Sequence, residues 1–595
     1  MRNVIRVVFF IIIGLFIVYV SLLSLSSAKV VDSKLNISTL VAIPQEAITL
    51  ESDININDLP FQDNLDLYRA DEPASVVVVY VTVQMGNAKD NTDHSWSEIN
   101  DFTNWTLGSP VNRANIRAEA VVQFGDENGP HPGDLGYSAV VPNATIQLRA
   151  NPPSPIPQGS YKIELRKSAG LWRGQSTIVL NKHISDLSRA RQKLSFDLIK
   201  QIPNMVGLRT QFVHLYVRDE TADPPHNTFV DYGLYTQIEQ PNKKFLSNHL
   251  LDRDGQLYKA VVFDFKRYPD QIRLSDDPLY DESAFSRVLE IKGNRDHAKL
   301  INMLNDVNDY SIPIEQTFAK YFNADNYFTW MAFNILVGNI STENQNFFLY
   351  SPKNGDKWFF IPWDYDGAFP LRNFENETDS PYMDWQSGVS NYWGSVLHNR
   401  VLRVDAYRQI LNEKIKEMTL VLTPAKISNL LDAYKPVTDK YVSNTPDVYY
   451  LPSSLDDYNQ TYNLLPDNVQ ENYALYLQSL ERPAPFTLGT PQITGDRLIF
   501  NWGEAYDFKS QSIIYHFEVS TDWTFDELIY DQELTNLTSI DAEMLGPGEY
   551  FWRVTATNEN GNSQLSYDQY FDAEGFAHPG IKYFMISSNG DVLEG

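Results

Sequence analysis

The segment from residue 333 to residue 369 constrains the fold of this chain more than any other part of the sequence. An apolar run ends near its start, and two short stretches of aromatic and aliphatic residues follow at 347–350 and 358–362. Asn354 and Gly355 lie between these stretches, and an Asn-Gly pair in that position is a strong indication of a β-hairpin. The segment therefore predicts two antiparallel strands whose outer ends lie side by side.

This hairpin would bring side chains of one chemical type together. Asn346 precedes the first strand, and Asp364 follows the second, with Asp366 and Gly367 directly after it. Amide and carboxylate oxygens are the hard ligands that Mg²⁺ takes together with phosphate, and protein kinases hold their metal ions with an Asn and a following Asp. Two interpretations remain open from the residues alone, a metal site and an acidic turn that binds no metal.

A longer motif surrounds the hairpin, at Gly338 and Asn339, at 346–350 and at 361–369. This motif resembles the signature of the spore coat protein H (CotH) family. The resemblance implies an atypical protein-kinase-like fold, ATP with Mg²⁺ or Mn²⁺ as cofactors and, as in some members, transfer of phosphate to protein substrates. It also implies that Asp364 holds one metal ion, that Asn346 holds a second, and that Asp366 supports them or is a further ligand.

One position departs from the kinase pattern. Kinase catalytic loops place the catalytic Asp five residues before the metal-binding Asn, and here that position holds Ser341. A serine does not accept a proton at neutral pH as a carboxylate does, and a positioned base typically contributes about 10²–10⁴ in rate. Glu343 lies two residues further on and is a candidate substitute. The sequence thus leaves open a slow enzyme, an enzyme that uses Glu343, and a protein that binds without catalysing.

Composition excludes several function classes. The net charge is −28 and the pI about 4.7, which argues against nucleic-acid binding because that function needs a basic surface. The chain has no cysteine, so disulfides, cysteine nucleophiles and thiolate zinc sites are excluded. It also lacks the P-loop, H-E-x-x-H and G-x-S-x-G motifs, which makes the usual P-loop NTPases, zincins and α/β-hydrolases poor candidates.

The N-terminus carries a targeting segment. Residues 7–28 contain no charge and follow Arg2 and Arg6; the run is long enough to span a bilayer, with the arginines retained in the cytoplasm. We expect a signal anchor at 1–28, with a signal peptide cleaved after Ala28 as the rival. The protein is then membrane-anchored and extracytoplasmic, or secreted if cleaved. Residues 29–73 are expected to form a stalk or linker.

Further segments resemble parts of the CotH domain, which we place at 74–445. The hairpin at 144–165 resembles the family's phosphate-proximal hairpin, and the resemblance places Arg149 and Lys162 near phosphates, although Pro152, Pro153 and Gly159 depart from the family pattern. An exposed strand lysine is the other interpretation of Lys162.

Two more segments lie between this hairpin and the motif. Residues 186–201 have apolar residues at helical spacing and predict a helix on which Arg189 and Arg191 face solvent. The strand at 233–239 resembles a family strand that ends in Glu239, a candidate for pairing with the lysine or lining the nucleotide cleft. A surface strand glutamate is the other interpretation of Glu239.

The C-terminal part differs in type. Residues 446–484 resemble a connector, and 485–571 show short strands at regular spacing, with Trp502 and Tyr550 placed as in a fibronectin type III-like module; 572–595 is a tail. We therefore predict an α+β kinase-like domain followed by an all-β sandwich.

Three functions compete. The first is phosphoryl transfer to a protein substrate. The second is a degenerate kinase fold that binds a partner in cell-surface assembly. The third, a carbohydrate-binding surface protein, rests only on the aromatic content and the C-terminal module.

Overall fold

The computed structural model describes residues 61–101, 116–149, 158–183, 185–372 and 383–594. The predicted anchor at 1–28 and most of the predicted stalk at 29–73 lie outside these residues. Among the described helices, none combines the length and apolar character needed to cross a membrane.

The first part of the domain is a sheet that closes on itself. Strand β1 pairs in parallel with β7 and antiparallel with β2, and the remaining neighbours complete the circuit in the order β1-β7-β8-β6-β5-β4-β2, with β3 extending β2. The strands are β1 (Val76–Gln84), β2 (Arg117–Asp126), β3 (Gly129–Pro130), β4 (Ala144–Leu148), β5 (Tyr161–Leu165), β6 (Thr177–Asn181), β7 (Thr210–Asp219) and β8 (Val230–Glu239).

Alternation along these strands creates a separate core inside the closed sheet. Successive side chains of a strand point to opposite faces, and one face of each strand is apolar. The inward side chains pack into a single buried cluster that includes Val79, Val81, Val122, Ile146, Ile163, Ile178, Leu215 and Tyr235. The β-branched run of β1 suits such a surface. The short helix α1 (Trp96–Ile99) contributes Trp96 to the same cluster.

A second, four-stranded sheet and most helices form the larger core. Its order is β10-β9-β11-β12, made of β9 (Gln256–Ala260), β10 (Leu289–Ile291), β11 (Phe347–Ser351) and β12 (Phe359–Pro362). The helices are α2 (Arg191–Ile199), α3 (Lys243–Asn248), α4 (Glu282–Ser286), α5 (Ala298–Asn308), α6 (Ile314–Tyr321), α7 (Ala324–Leu336), α8 (Val396–Leu402), α9 (Asp405–Thr419), α10 (Pro424–Val442), α11 (Leu455–Leu464) and α12 (Asn468–Ser479).

Helix α7 is the central element of this core. Its side chains from Asn326 to Leu336 are all buried, and it packs against β12, α9 and α12. Because α7 ends just before the polar loop at 338–345, it holds that loop against the β11–β12 hairpin. The central helix thus positions the segment that the sequence singled out.

Two segments differ from the linkers that the sequence suggested. The region 446–484, predicted as a connector, contains α11 and α12, and their residues Tyr458, Tyr462 and Tyr476 are buried in the main core. The end of the predicted stalk is also packed, since Phe61 is buried and Asp63 makes several hydrogen bonds. The connector and the stalk were predicted from their Asn- and Asp-rich composition. That composition does not reveal the apolar faces with which their short elements pack.

The C-terminal region is all-β, as predicted. A sheet in the order β13-β14-β17 shares one core with the sheet β16-β15-β18-β22-β23, and Trp502 lies in that core. The strands are β13 (Gln492–Thr494), β14 (Arg497–Asn501), β15 (Ile513–Ser520), β16 (Leu528–Thr535), β17 (Ser539–Glu543), β18 (Gly548–Asn558), β19 (Ser563–Leu565), β20 (Gln569–Phe571), β21 (Ala577–Pro579), β22 (Ile581–Ile586) and β23 (Val592–Glu594).

Two details refine the prediction for this region. The Tyr550 hydroxyl donates a hydrogen bond to the carbonyl of Gly546 at 2.9 Å, which is the arrangement of a tyrosine corner in β-sandwiches. The predicted tail at 572–595 contributes β22, which pairs with β18, and β23. The fibronectin type III assignment itself stays a prediction.

The sandwich packs directly on the kinase-like domain. The Tyr567 hydroxyl donates to the carbonyl of Ser390 at 3.2 Å, and Gln564 donates to Asp384 at 2.9 Å. Both partners lie between the β11–β12 hairpin and α8. The C-terminal region is therefore in contact with the segment that follows the candidate site.

Candidate functional site

The β11–β12 hairpin brings Asn346 and Asp364 together as the sequence suggested. Phe347 lies opposite Pro362 in the antiparallel register, so the residue before one strand adjoins the residues after the other. Asn346 has φ 58° and Asp364 has φ 56°, the left-handed region, which costs other non-glycine residues more than Asn or Asp. The backbone is thus strained at both candidate ligands, a feature that clusters at functional sites.

Asp364 faces a guanidinium from the first sheet. Arg149, directly after β4, places Nη2 3.2 Å from Asp364 Oδ1, and its guanidinium carbon lies 5.2 Å from the ring centre of Trp363. The side chains of Arg149 and Asp364 are only 15% and 26% exposed. This contact joins the closed sheet to the hairpin, so the site lies where the two meet.

The second carboxylate adds negative charge to the same place. Burial has the largest influence on Asp366 and, together with the neighbouring charge of Asp364, raises its pKa, while Arg149 and the amide of Asn181 act in the opposite direction. Two carboxylates thus face one guanidinium. Such an excess of negative charge in a partly buried site favours binding of a cation.

A chain of polar side chains connects the hairpin to the loop before it. Asn346 Nδ2 donates to Ser341 Oγ at 2.8 Å, Ser341 donates to Asn339 Oδ1 at 3.1 Å, and Asn339 donates to the carbonyl of Asp364 at 3.3 Å. Ser341 therefore lies beside the Asn346 amide, as the five-residue spacing suggests. Its hydroxyl stands where the kinase pattern has a carboxylate.

Glu343 faces a different part of the molecule. Its carboxylate Oε1 packs against Gly394, where a larger residue would collide with it. The charge of Glu343 also acts on Tyr567 of the C-terminal region. Burial and then the nearby Asp264 raise the pKa of Glu343 to about 7, and Lys266 opposes this shift. Within the described residues no contact joins Glu343 to Asn346 or Asp364. The role of Glu343 as a base stays a prediction that this placement does not favour.

Two predicted cofactor-binding residues form other ion pairs. Lys162 on β5 is 30% exposed and places its Nζ 2.5 Å from Glu164; its approach to phosphates stays a prediction. Glu239 does not pair with that lysine. It forms a two-pronged ion pair with Arg209, at 2.5 and 3.0 Å, and lies 3.0 Å from Nε2 of the buried His249. Of the three predicted residues, only Arg149 reaches the carboxylates.

The strand-to-helix connection before α2 is a part of the site that the sequence analysis missed. The predicted helix at 186–201 begins only at Arg191, because the Asp186 carboxylate accepts hydrogen bonds from the backbone N–H groups of Ser188 and Arg191, at 2.9 and 3.0 Å, and holds a turn. Arg189 and Arg191 were predicted to face solvent, but both are buried. The signal available in the sequence was the Asp-x-Ser pair, which is typical of a side-chain-stabilised turn.

This connection also carries buried polar groups without partners. His183 has neither ring nitrogen hydrogen-bonded, and Gln192 Nε2 is likewise unpaired. Burial, the largest influence, lowers the pKa of His183 to about 4, and the charges of Arg149 and Asp364 act on the same ring. Buried polar groups in native proteins are nearly always paired, so these two side chains are candidates for contact with a polar ligand.

The residues present fit a divalent cation carried by phosphate. Asn346, Asp364 and Asp366 supply hard oxygens, and Arg149, His183 and Gln192 supply donors for anionic oxygens. No group of three or more His, Asp or Glu side chains among the described residues is arranged to hold a metal ion alone. Mg²⁺ is usually bound by one or two carboxylates together with phosphates and water.

Comparison with known proteins identifies the family. The model of the CotH kinase protein family matches residues 146–476, which is more than half of the chain. Over 283 residues the sequence is 23% identical to the inner spore coat protein H of Bacillus subtilis (strain 168), an alignment that covers 46% of this chain and 72% of that protein. The matched region contains the hairpin, α2, α11 and most of α12. The chain belongs to the CotH kinase protein family.

Proposed function

We propose that this protein binds ATP with Mg²⁺ or Mn²⁺ between the closed sheet and the β11–β12 hairpin and transfers phosphate to a protein substrate. The observation that carries the proposal is the convergence of Asn346, Asp364 and Asp366 with Arg149 at one place. Kinase-like sites hold their metal ions with an Asn and an Asp in this relation. Membership of the CotH kinase protein family supports the same assignment.

Each side chain would have a defined task in this function. Asp364 and Asn346 would hold the metal ions, and Asp366 would hold or orient one of them. Arg149 would direct its guanidinium at the phosphates, since that side chain already lies over Trp363 and beside Asp364. The bound nucleotide would supply the phosphoryl group, and the metal would neutralise its charge.

A second candidate function is binding without catalysis. Ser341 occupies the position of the catalytic carboxylate and is hydrogen-bonded to Asn346 and Asn339. Its hydroxyl is thereby engaged in a network that contains no base. In this case the protein is a pseudokinase that uses a ligand-stabilised fold to hold a partner.

Location and partners are part of the proposal. The relative in Bacillus subtilis is named an inner spore coat protein, which supports an extracytoplasmic, surface-associated role in which this protein phosphorylates or assembles with another protein. The charge-free segment at 7–28 would attach the protein to a membrane. The net charge of −28 continues to argue against nucleic acid.

Replacing Asp364 with asparagine is expected to abolish metal-dependent nucleotide binding. The wild-type thermal midpoint should rise in ATP with MgCl₂ or MnCl₂, because a ligand that binds only the folded state stabilises it, by about 2.7 kcal/mol at a hundred times Kd. Asp364→Asn should show no such rise, since it removes a charged ligand. Differential scanning calorimetry of the full-length protein measures both.

The matched control is Asp325→Asn, at an exposed carboxylate in the first turn of α7, at the end of that helix away from the site. This variant should retain the wild-type response. An unchanged wild-type midpoint at millimolar nucleotide would contradict the proposal, and a response of Asp364→Asn equal to wild type would place the nucleotide elsewhere.

A further inference from the structure

The connection between β6 and α2 occupies a particular place in a kinase-like fold. It joins a strand of the first sheet to a buried helix, and Asn181 at the end of that strand acts on the Asp366 carboxylate. In protein kinases a strand Lys and a helix Glu form an ion pair that positions the lysine on the phosphates. Here the contact between this strand and this helix joins Asn181 Nδ2 to Gln192 Oε1 at 2.6 Å. It is a neutral pair of amides.

Asn181 uses its amide fully, whereas Gln192 does not. Asn181 accepts a hydrogen bond from Ser160 at 2.9 Å, donates to Gln192, and stabilises the carboxylate form of Asp366. Gln192 accepts that bond with its oxygen, but its buried Nε2 has no acceptor. A buried donor left without an acceptor costs free energy, on the order of 1–3 kcal/mol. The Gln192 amide therefore has one buried N–H donor group without a partner.

His183 is unpaired in the same region. It follows β6 by two residues, has φ 54°, and is 4% exposed. Its carbonyl oxygen accepts hydrogen bonds from Arg189 and from the backbone N–H of Asp186, which fixes the backbone while both ring nitrogens remain without partners. The charges of Arg149 and Asp364 act on the ring, so the ring lies near both side chains of the candidate site.

We propose that His183 and Gln192 donate hydrogen bonds to the phosphoryl oxygens of a nucleotide bound with its metal ion against Asp364 and Asp366. This inference rests on the proposed function and adds residues that the kinase pattern does not contain. These two neutral N–H donors would contact the phosphates together with Arg149. Because the donors carry no charge, binding should require the metal ion.

The test is calorimetric titration of the full-length protein with ATP and ADP, each with and without MgCl₂. His183→Phe keeps a ring of similar size and removes the donor. Since a hydrogen bond to a charged acceptor is worth about 1.5–3 kcal/mol, the variant should bind Mg–ATP about 10- to 100-fold more weakly. Without nucleotide, the thermal midpoint of His183→Phe should equal or exceed that of wild type, because the unpaired imidazole makes no hydrogen bond that stabilises the nucleotide-free protein.

His398→Phe is the control. His398 is buried in the main core near Trp330 and Phe360, and its Nδ1 shares a 2.7 Å hydrogen bond with Tyr327. Its replacement should lower the thermal midpoint without nucleotide and leave the affinity for Mg–ATP unchanged. His183→Phe is thus expected to weaken Mg–ATP binding without loss of stability, and His398→Phe to lose stability without a change in Mg–ATP binding.

The outcomes separate the inference from the proposed function. If wild type binds Mg–ATP and His183→Phe binds it equally well, the inference is wrong and the proposed function stands. If wild type binds no nucleotide, the proposed function is wrong and the inference falls with it. A fall in the nucleotide-free midpoint as large as that of His398→Phe also overturns the inference, because His183 then stabilises the fold itself.

A second variant covers a failure of His183→Phe to fold. Gln192→Glu keeps the acceptor for Asn181 and replaces the free donor with a second carboxylate oxygen. It should weaken Mg–ATP binding by at least about 10-fold, since a donor to charged oxygen is lost. Wild-type affinity in this variant would overturn the inference.

Discussion

Replacing Ser341 with aspartate is expected to raise the rate of phosphoryl transfer by about 10²- to 10⁴-fold, the usual contribution of a positioned general base. Ser341 Oγ lies 2.8 Å from Asn346 Nδ2, so an aspartate at this position would place a carboxylate beside the amide that is proposed to hold a metal ion. The Asn339 amide would turn to donate to the new carboxylate, since its oxygen now accepts from the serine. ADP release and autophosphorylation in Mg–ATP measure the rate.

Ser341→Asn is the matched control for this gain. Asparagine has the shape of aspartate and no proton-accepting carboxylate, so its rate should stay at the wild-type level. If Ser341→Asp also remains at that level while Mg–ATP still binds, lack of a base does not limit the rate, and the binding-only function is favoured. A wild-type rate that falls in Glu343→Gln would instead identify Glu343 as the base despite its orientation toward Gly394.

The largest effect on stability is expected from His249→Gln, which should lower the free energy of unfolding by about 3–5 kcal/mol at pH 7. His249 is fully buried, with Nε2 3.0 Å from Glu239 and Nδ1 hydrogen-bonded to Asp63. Without the charge of His249, Asp63 loses its cationic partner, while Glu239 keeps Arg209, which lies 2.5 and 3.0 Å from its oxygens. Urea unfolding of wild type and variant measures the difference.

This contribution should depend on pH in a defined direction. Burial opposes the charge of His249, but Glu239 and Asp63 outweigh it and raise the pKa of His249 to about 9, compared with about 6.5 in an unfolded chain. A pKa raised on folding stabilises the protein fully below pH 6.5, and the stabilisation is lost as the pH rises through 9. The advantage of wild type over His249→Gln should therefore shrink by about 3 kcal/mol between pH 6 and 10.

His516→Gln serves as the comparison, because His516 lies at the surface, 39% exposed, and pairs with Asp531 at 2.7 Å. An exposed ion pair contributes little, so this variant should unfold within about 0.5 kcal/mol of wild type. A His249→Gln protein as stable as wild type at pH 7 would show that the buried charges have other partners.

The main features of the fold were predictable where the information is local. The hairpin at 347–362 followed from an Asn-Gly turn between two apolar stretches, and its register placed Asn346 beside Asp364. The all-β C-terminal region followed from short, regularly spaced strands. These predictions succeeded because turn chemistry and strand alternation act over a few residues.

Predictions about side chains that meet across elements were less successful. Lys162 on β5 and Glu239 on β8 are separated by β6 in the first sheet. Lys162 pairs with Glu164, and Glu239 pairs with Arg209 and His249. Arg189 and Arg191 have the composition of a solvent-exposed helix surface and are buried. A charged residue is buried when partners elsewhere in the chain compensate its charge, and sequence spacing does not reveal those partners.

The sequence by itself determined the family, the hairpin and the pair of candidate ligands at its ends, because the antiparallel register of two strands sets which residues adjoin. The tertiary structure alone decided which cation reaches Asp364 and which donors remain unpaired. Arg149 is 215 residues away from Asp364 in the chain, and His183 and Gln192 approach the site only because β6 and α2 pack beside it. Side chains so far apart in the chain become neighbours through the packing of whole elements, which is governed by burial of apolar surface rather than by local spacing.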